Sequence, residues 1–207
     1  MTISAQKQQN ARDRILDTAM RLFYQDGIRA TGIDKIIGES GVAKMSFYRN
    51  FPSKADLVTA FLLRRHDFWM SWFTATVEER LVSSNVGIEV IADVLRIWFK
   101  QDDFRGCAFI NTVAESGSSE SDQCRIARDH KAELEKYVER LAARLGLKRP
   151  KEIATSAMII IEGTIVRVQM TEDPDLAVTC KQLLKKLGNP IRETRASKTS
   201  LPNGSGR

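Results

Sequence analysis

The chain has 207 residues, of which 43% are hydrophobic and 28% are charged, a composition typical of a globular protein with one well-buried body and a small second module. No uninterrupted apolar run approaches the roughly 18 residues that cross a membrane, and the polar amino terminus lacks the apolar core of a secretion signal. The three cysteines, Cys107, Cys124 and Cys180, form no CxxC pair, which argues against a disulfide framework and a zinc site. We therefore expect a cytoplasmic protein.

The positive charge is concentrated at the two ends of the chain. Residues 1–65 hold 11 Lys and Arg against 6 Asp and Glu, and residues 190–207 hold 4 against 1. Residues 66–189 hold 17 against 19, so the middle of the chain is slightly acidic. A basic amino-terminal module on a near-neutral body indicates a polyanionic partner for that module.

Helical periodicity runs through the chain and strand patterns are nearly absent, so we predict an all-α fold of about nine helices. In chain order, the predicted helices cover residues 11–24, 33–39, 43–50, 53–82, 87–100, 107–116, 123–145, 150–170 and 174–187. After Asn189-Pro190 the chain is polar and non-periodic, which predicts a disordered tail over 190–207.

The first three predicted helices are short, and the turn between the second and the third is tight. Ser40-Gly41 makes that turn. The third helix ends before Phe51-Pro52, because the residue before proline is pushed out of the helical region. Three short helices followed by a long one is the layout of a helix-turn-helix module.

Two capping patterns mark helix starts in this region. Thr31, three residues before Asp34, predicts a cap on the second helix. Ser53 and Asp56 have the spacing of a capping box, with Asp in place of the usual Glu, at the start of the fourth helix.

The residues of this module closely resemble the signature of the tetracycline-repressor (TetR) family, without a gap over residues 12–57. The stretches that carry the resemblance are Gly27-Ile28-Arg29-Ala30-Thr31-Gly32-Ile33-Asp34-Lys35-Ile36-Ile37 and Ser40-Gly41-Val42-Ala43-Lys44-Met45-Ser46-Phe47-Tyr48-Arg49-Asn50-Phe51-Pro52-Ser53-Lys54-Ala55-Asp56-Leu57. The resemblance implies a DNA-binding domain over 1–53 and a helical ligand-sensing and dimerisation domain over 54–189. It also implies a transcriptional regulator, in most members a repressor that a ligand releases from DNA.

The third helix is the predicted DNA-reading element. Val42, Phe47 and Phe51 are its apolar anchors, which leaves the polar and basic side chains free to reach base edges and phosphates. Met45 stands where the family usually has a small residue, so the operator sequence does not follow from the motif. The predicted DNA-contacting residues, including a phosphate site at the start of the fourth helix, are Thr31, Lys44, Met45, Ser46, Tyr48, Arg49, Asn50 and Lys54.

The body is rich in aromatic residues between positions 66 and 110, where all three tryptophans lie. Together with the family architecture, this predicts an aromatic-lined cavity for a small apolar or aromatic effector. The predicted ligand-binding residues are Phe68, Trp69, Trp72, Trp98 and Phe109. The alternative is that these rings only fill the core.

The last two predicted helices are the candidates for a homodimer interface, as the resemblance implies. The helix over 150–170 is apolar on more than one face. Packing inside one chain at a single contact would need only one apolar face. The predicted interface residues are Ala157, Ile161, Ile165, Leu176, Leu183 and Leu187. A dimer would place its two third helices about 34–36 Å apart, in successive major grooves of a near-palindromic double-stranded operator.

Other classes of function are less well supported. Nucleophilic catalysis would need Cys107 or Cys124 beside His66 or His130, but Cys124 and His130 fall on different sides of a helix, and we interpret His130 as a helix-face residue. With no glycine-rich phosphate loop or metal-ligand cluster, we expect neither an enzyme nor a cofactor. Thiol sensing by Cys107 or Cys124 and a purely structural adaptor remain open alternatives.

Overall fold

The computed structural model describes residues 10–83, 86–118 and 120–188, and this part of the chain forms nine α-helices and no β-strand. The all-α prediction is confirmed, and every predicted helix is present with its ends shifted by a few residues. In chain order the helices are α1 (Ala11–Asp26), α2 (Ile33–Ser40), α3 (Lys44–Asn50), α4 (Lys54–Ser83), α5 (Val90–Phe99), α6 (Ala108–Glu115), α7 (Asp122–Arg144), α8 (Pro150–Thr171) and α9 (Leu176–Gly188). The predicted tail, 190–207, lies outside the described residues.

Helices α1, α2 and α3 form the predicted helix-turn-helix around one apolar centre. Ile15 and Ala19 of α1 and Ile36 of α2 are fully buried in it, as is Phe47 of α3. Gly41, with φ of +64°, makes the left-handed turn that ends α2 and sets the direction of α3. The fold thus confirms both the tight turn and the apolar anchoring of α3.

One predicted cap is confirmed and the other is wrong. The Asp56 amide donates to the Ser53 Oγ at 3.1 Å, and the Ser53 amide donates to the Asp56 Oδ2 at 3.0 Å, which is the predicted capping box at the start of α4. At α2 the N-cap is Gly32, without a side-chain bond. Thr31 instead is buried and donates its hydroxyl to the Gly27 carbonyl at 2.7 Å, so it closes the turn after α1.

Helix α4 connects the helix-turn-helix to the body without a break. Its 30 residues span about 45 Å. Near its start Leu57 and Phe61 pack against the module, and further along Trp69, Phe73 and Val77 lie in the core of the body. A displacement of the body along α4 therefore reaches α1–α3 directly.

Helix α8 lies at the centre of the body, against α7 and α9. Among the described residues it is the one helix that is long and apolar enough to cross a membrane by length and composition. Its apolar residues are interrupted by polar ones, so the sequence shows no continuous apolar run of that length there. Only 39% of its most apolar window is buried, so an apolar surface remains after the core is packed. Glu162 in mid-helix pairs with Lys131 of α7 at 3.2 Å, as expected of a core helix in a globular protein.

Candidate nucleic-acid interface

The solvent face of α3 carries most of the predicted DNA-contacting side chains. Lys44, Met45, Tyr48 and Arg49 are exposed, whereas Phe47 is buried. Lys44 lies 3.6 Å from an exposed carboxylate oxygen of α2, a loose surface pair of small energy that a phosphate can replace. The exposed row therefore has the charge and the reach for a DNA groove.

The end of α3 is held by its own side chains. The Asn50 Nδ2 donates to the Ser46 carbonyl at 2.8 Å, which closes the last turn of the helix. The ring of Tyr48 packs edge-on against Phe47 with 5.3 Å between centroids, so its orientation at the surface is restricted. Ser46 and Asn50 are half-buried and thus less available to DNA than their neighbours.

Two predicted phosphate contacts, Thr31 and Lys54, are less exposed than the solvent-facing side chains of α3. The hydroxyl of Thr31 is in the interior and bonded to Gly27, so in this structure it supports the turn and does not face solvent. Lys54 is half-buried in a groove that it lines with Glu115 of α6, where burial lowers its pKa from the usual value and the Glu115 carboxylate opposes that shift. Lys54 thus lies at the junction between the module and the body.

Helix α6 contacts the helix-turn-helix module near its first residue. The Tyr24 hydroxyl, at the end of α1, donates to the Gly106 carbonyl at 3.0 Å and accepts from the Arg105 amide at 3.1 Å. Burial raises the pKa of Tyr24. Gly106 has φ of +77°, a left-handed conformation that favours glycine, and a Cβ there would displace the exposed amide of Gln169. The guanidinium of Arg65 covers the Tyr24 ring at 4.0 Å.

Helix α6 contacts the same module again at its last residue. The Glu115 Oε2 accepts from the Arg29 amide at 2.7 Å, in the loop between α1 and α2. Between the two contacts lies an open cleft of about 1100 Å³ that separates the module from the body, with Tyr24, Phe104 and Asn111 among its walls. Sequence reasoning missed these contacts, because they join residues more than 80 positions apart.

The predicted ligand-binding rings fill the core of the body. Trp69 stacks on Phe73 with 4.7 Å between centroids and meets Trp98 edge-on at 5.5 Å, while Phe109 stacks on His130 at 3.7 Å. The cavity they enclose measures about 10 Å³, roughly the room for one water molecule. A ligand-sized aromatic cavity is therefore not open in this structure.

Two of the five predicted ligand residues lie outside this cluster's cavity. Phe68 is 65% exposed on α4 and faces solvent, so its prediction is wrong for this structure. Trp72 is half-buried and contacts Trp69 with 6.3 Å between centroids, but it does not line the cavity. Neighbouring positions on a helix differ by about 100° in direction, which places Phe68 outside and Trp69 inside.

The chain's two histidines form a pair that the sequence did not indicate, in which His130 is buried and His66 is half-buried. His130 is 3% exposed, and its Nδ1 lies 3.0 Å from the Nδ1 of His66, whose Nε2 lies 3.3 Å from a Glu133 oxygen. Burial lowers the pKa of His130 to about 3, and the nearby positive charges of Lys131 and Arg65 act in the same direction. His130 is therefore neutral near pH 7, and it lies on the buried face of α7.

The cysteines of the chain are buried free thiols. Cys124, near the start of α7, is buried, and hydrogen bonds from the hydroxyls of Ser116 and Ser121 lower its pKa. Cys107 lines the aromatic cavity, and both cysteines are free thiols. Within residues 10–83, 86–118 and 120–188, no group of three or more His, Cys, Asp and Glu side chains is placed to hold a metal ion. Thiol sensing by Cys107 or Cys124 stays an open alternative.

Half of the predicted dimer residues belong to the chain's own core. Ala157, Ile161 and Ile165 are fully buried against the neighbouring helices, so they cannot form a surface. Leu176 and Leu187 are half-buried, and Leu183 is exposed. The prediction chose the wrong side of α8 because this helix has two apolar faces, and periodicity alone does not tell which of them packs inside.

An apolar row remains at the surface of α8, and α9 has exposed apolar side chains of its own. The α8 members repeat at steps of three and four residues, which keeps them on one side of that helix. They are Ile159, Gly163, the half-buried Val166 and Met170, and together with the exposed Val178 and Leu183 of α9 we call them the α8–α9 face. Ile159 is 71% exposed, and Gly163 has open space where a side chain would be. Exposed apolar side chains in such a row mark an interaction surface.

Comparison with known proteins gives one consistent result. The pattern described as "Bacterial regulatory proteins, tetR family" matches residues 15–61. The transcriptional regulator LmrA of Bacillus subtilis is 28% identical over 161 residues, which cover 76% of this chain and 85% of LmrA. The TetR-family regulator SCO4454 of Streptomyces coelicolor superposes with a TM-score of 0.74 at 27% identity, over 86% of this chain and 93% of its own. The multidrug-binding protein EbrR, solved with malachite green, shares the fold at 19% identity and a TM-score of 0.66, over 86% of this chain and 98% of its own.

Proposed function

The chain belongs to the TetR family of DNA-binding transcriptional regulators, and from this premise we propose that it is a ligand-responsive repressor. It binds a near-palindromic operator as a homodimer, and a small apolar or aromatic effector releases it. The proposal rests on a helix-turn-helix module whose α3 is polar and exposed. Hydrogen bonds at both ends of α6 join this module to the helical body. The relatives are regulators, which fits a protein without catalytic activity of its own, located in the cytoplasm.

The proposal assigns the major groove to α3. Lys44 and Arg49 supply positive charge for phosphates and base edges, and Tyr48 presents a phenol whose ring is already oriented by Phe47. Met45 is the most exposed apolar side chain of the helix and offers an apolar contact, such as to a thymine methyl group. Residues 1–53 are the DNA-binding domain, and residues 54–189 are the ligand-sensing and dimerisation domain.

The α8–α9 face is the proposed dimer interface. Two copies would pair these faces into a four-helix arrangement in which Gly163 permits close approach of the α8 helices. Ile159 and Met170, largely exposed in one chain, would then be buried. Such an isologous interface relates the two α3 helices by a two-fold axis, as a palindromic operator requires.

The effector acts through the contacts of α6 in this proposal. A ligand that enters between the module and the body, or among the rings behind α6, changes the bonds that Tyr24 and Glu115 make. EbrR, which shares the fold, was solved with an aromatic dye, and this supports an aromatic effector class. A difference of about 1–3 kcal/mol between the bound and unbound module orientations is typical of such coupling.

The DNA-binding part of the proposal is tested by changing the exposed face of α3. Lys44→Ala combined with Tyr48→Phe removes one charge and one hydroxyl, and each important contact is worth about 1–3 kcal/mol, so operator affinity should fall at least about fivefold. Affinity is measured by fluorescence anisotropy on an operator fragment. Lys148→Ala, an exposed lysine between α7 and α8, removes the same charge far along the chain and should leave the affinity within about twofold. Equal affinity of the double variant and the native chain would contradict the placement of α3.

A further inference from the structure

One of the residues that line the cavity inside the aromatic cluster carries a polar group without a partner. Trp69 is 6% exposed, and its indole Nε1 has no acceptor among the described residues. It lines the cavity together with Trp98, Phe109 and His130. Buried N–H groups are almost always paired in native proteins, so this indole calls for an acceptor that the side chains of the described residues do not supply.

The charged groups around this cavity are all positive. Arg65 and Lys131 line it, and no Asp or Glu of the described residues does. Lys131 is paired with Glu162, whereas the guanidinium of Arg65 lies over the Tyr24 ring and has no carboxylate partner within the described ranges. A cationic aromatic ligand would meet two positive side chains here. An anionic one would meet a free guanidinium, the group best suited to a carboxylate.

We propose that the effector is a planar aromatic anion of the aryl carboxylate class, an inference that rests on the ligand-responsive function proposed above. Its ring lies among the rings of Trp69, Trp98 and Phe109, and its oxygens accept from the Trp69 Nε1–H and from the guanidinium of Arg65. The aromatic walls supply stacking and edge-on contacts. The two donors orient the ligand and select for negative charge.

The position of the cavity explains how such a ligand would reach the DNA-binding module. Residues 107–109, at the start of α6, form one wall of the cavity, so the ligand must displace them to enter. The two residues before this wall, Arg105 and Gly106, carry the backbone groups that hold the Tyr24 hydroxyl. The anion also draws Arg65 away from the Tyr24 ring. Both changes release the end of α1, and with it the orientation of α3.

The ligand class is tested by calorimetry on the full chain with three probes that share one ring system: 2-naphthoate, 2-naphthalenemethanol and 2-naphthylmethylamine. Naphthoate should bind at least about tenfold more tightly than the neutral alcohol, and the amine should bind more weakly still. Trp69→Phe keeps the ring but removes the donor, and should weaken naphthoate binding about tenfold. Trp72→Phe changes a ring of the same helix outside the cavity and should have no effect.

A spectroscopic measurement on the native chain does not depend on how well a variant folds. The indole N–H resonance of Trp69, assigned by its loss in Trp69→Phe, should move downfield when naphthoate is added, because a new hydrogen bond forms at that proton. An unchanged Trp69 resonance would overturn the proposed contact. So would tighter binding of the amine than of naphthoate, or naphthoate binding that Trp69→Phe leaves intact, since the anion would then occupy another site.

The release step is tested on the operator fragment. Naphthoate should release the native chain, and Arg65→Gln should require at least about tenfold more naphthoate for the same release. Arg64→Gln removes the same charge from an exposed neighbour that pairs with Asp17 at 2.6 Å, and should behave as the native chain. If the chain binds no specific DNA, the proposed function fails while the calorimetry still decides the ligand class. If the chain binds specific DNA but naphthoate neither binds to the chain nor releases the chain from DNA, only the ligand class is overturned.

Discussion

Acidification from pH 7.5 to pH 5.0 should destabilise the fold by an amount that can be assigned to His130. Its folded pKa of about 3 lies below the ordinary value of 6.5, so the unfolded state binds the proton more readily. The associated stability is complete above about pH 6.5 and is lost as the pH falls toward 3. At pH 5.0 the difference is about 1.5 pH units at 1.36 kcal/mol each, which is about 2 kcal/mol.

Solvent screening does not reduce this loss of stability, because the His130 side chain is buried. The side chain is 3% exposed, and it faces His66, Arg65 and Lys131, with Glu133 behind His66. No carboxylate contacts the His130 ring directly to stabilise its charged form, among the contacts of the described residues. Protonation would therefore place an uncompensated charge in the aromatic core.

The assay is urea unfolding followed by circular dichroism at both pH values, at fixed protein concentration because a dimer couples stability to concentration. His130→Phe keeps a ring on Phe109 and removes the titrating group, so its loss of stability between pH 7.5 and pH 5.0 should be about 2 kcal/mol smaller than that of the native chain. Carboxylate titration contributes equally to both proteins and cancels. Equal losses in the two proteins would refute the reasoning.

Two further variants test the junction and the dimer. Gly106→Ala should destabilise the fold by about 1 kcal/mol in urea unfolding, because its φ of +77° is strained for alanine. Gly38→Ala, in the open interior of α2, should stabilise the fold slightly, and equal effects of the two variants would contradict the junction geometry. Ile159→Glu should produce monomers in analytical ultracentrifugation, and Val82→Glu, at a still more exposed apolar site at the end of α4, should not. A dimer that persists in Ile159→Glu would place the interface elsewhere.

Local patterns in the sequence were sufficient to predict the helices and the helix-turn-helix. The capping box of Ser53 and Asp56, the Gly41 turn and the burial of Phe47 all depend on residues within a few positions of one another. Thr31 was the exception. Its hydroxyl bonds to the carbonyl of Gly27, and a short polar side chain near a helix start can serve either role.

Which face of a helix packs inside could not be predicted, because α8 is apolar nearly all round. Ile161 is in the core and Ile159 is exposed, although both are isoleucines two positions apart. The same limit applies to the contacts between distant segments. Nothing in the spacing of His66 and His130, or of Tyr24 and Gly106, indicates that tertiary packing brings them together.

The central claim is that this chain recognises one operator as a dimer, and selection of genomic DNA fragments by the purified protein tests it most directly. The selection is made at about 150 mM salt, where non-specific phosphate attraction is reduced, beside the Lys44→Ala, Tyr48→Phe variant as control. The account predicts enrichment of a short near-palindrome whose half-sites lie about one helical turn, or a whole multiple of it, apart. Enrichment no greater than that of the control variant, or of a sequence without two-fold symmetry, would contradict it.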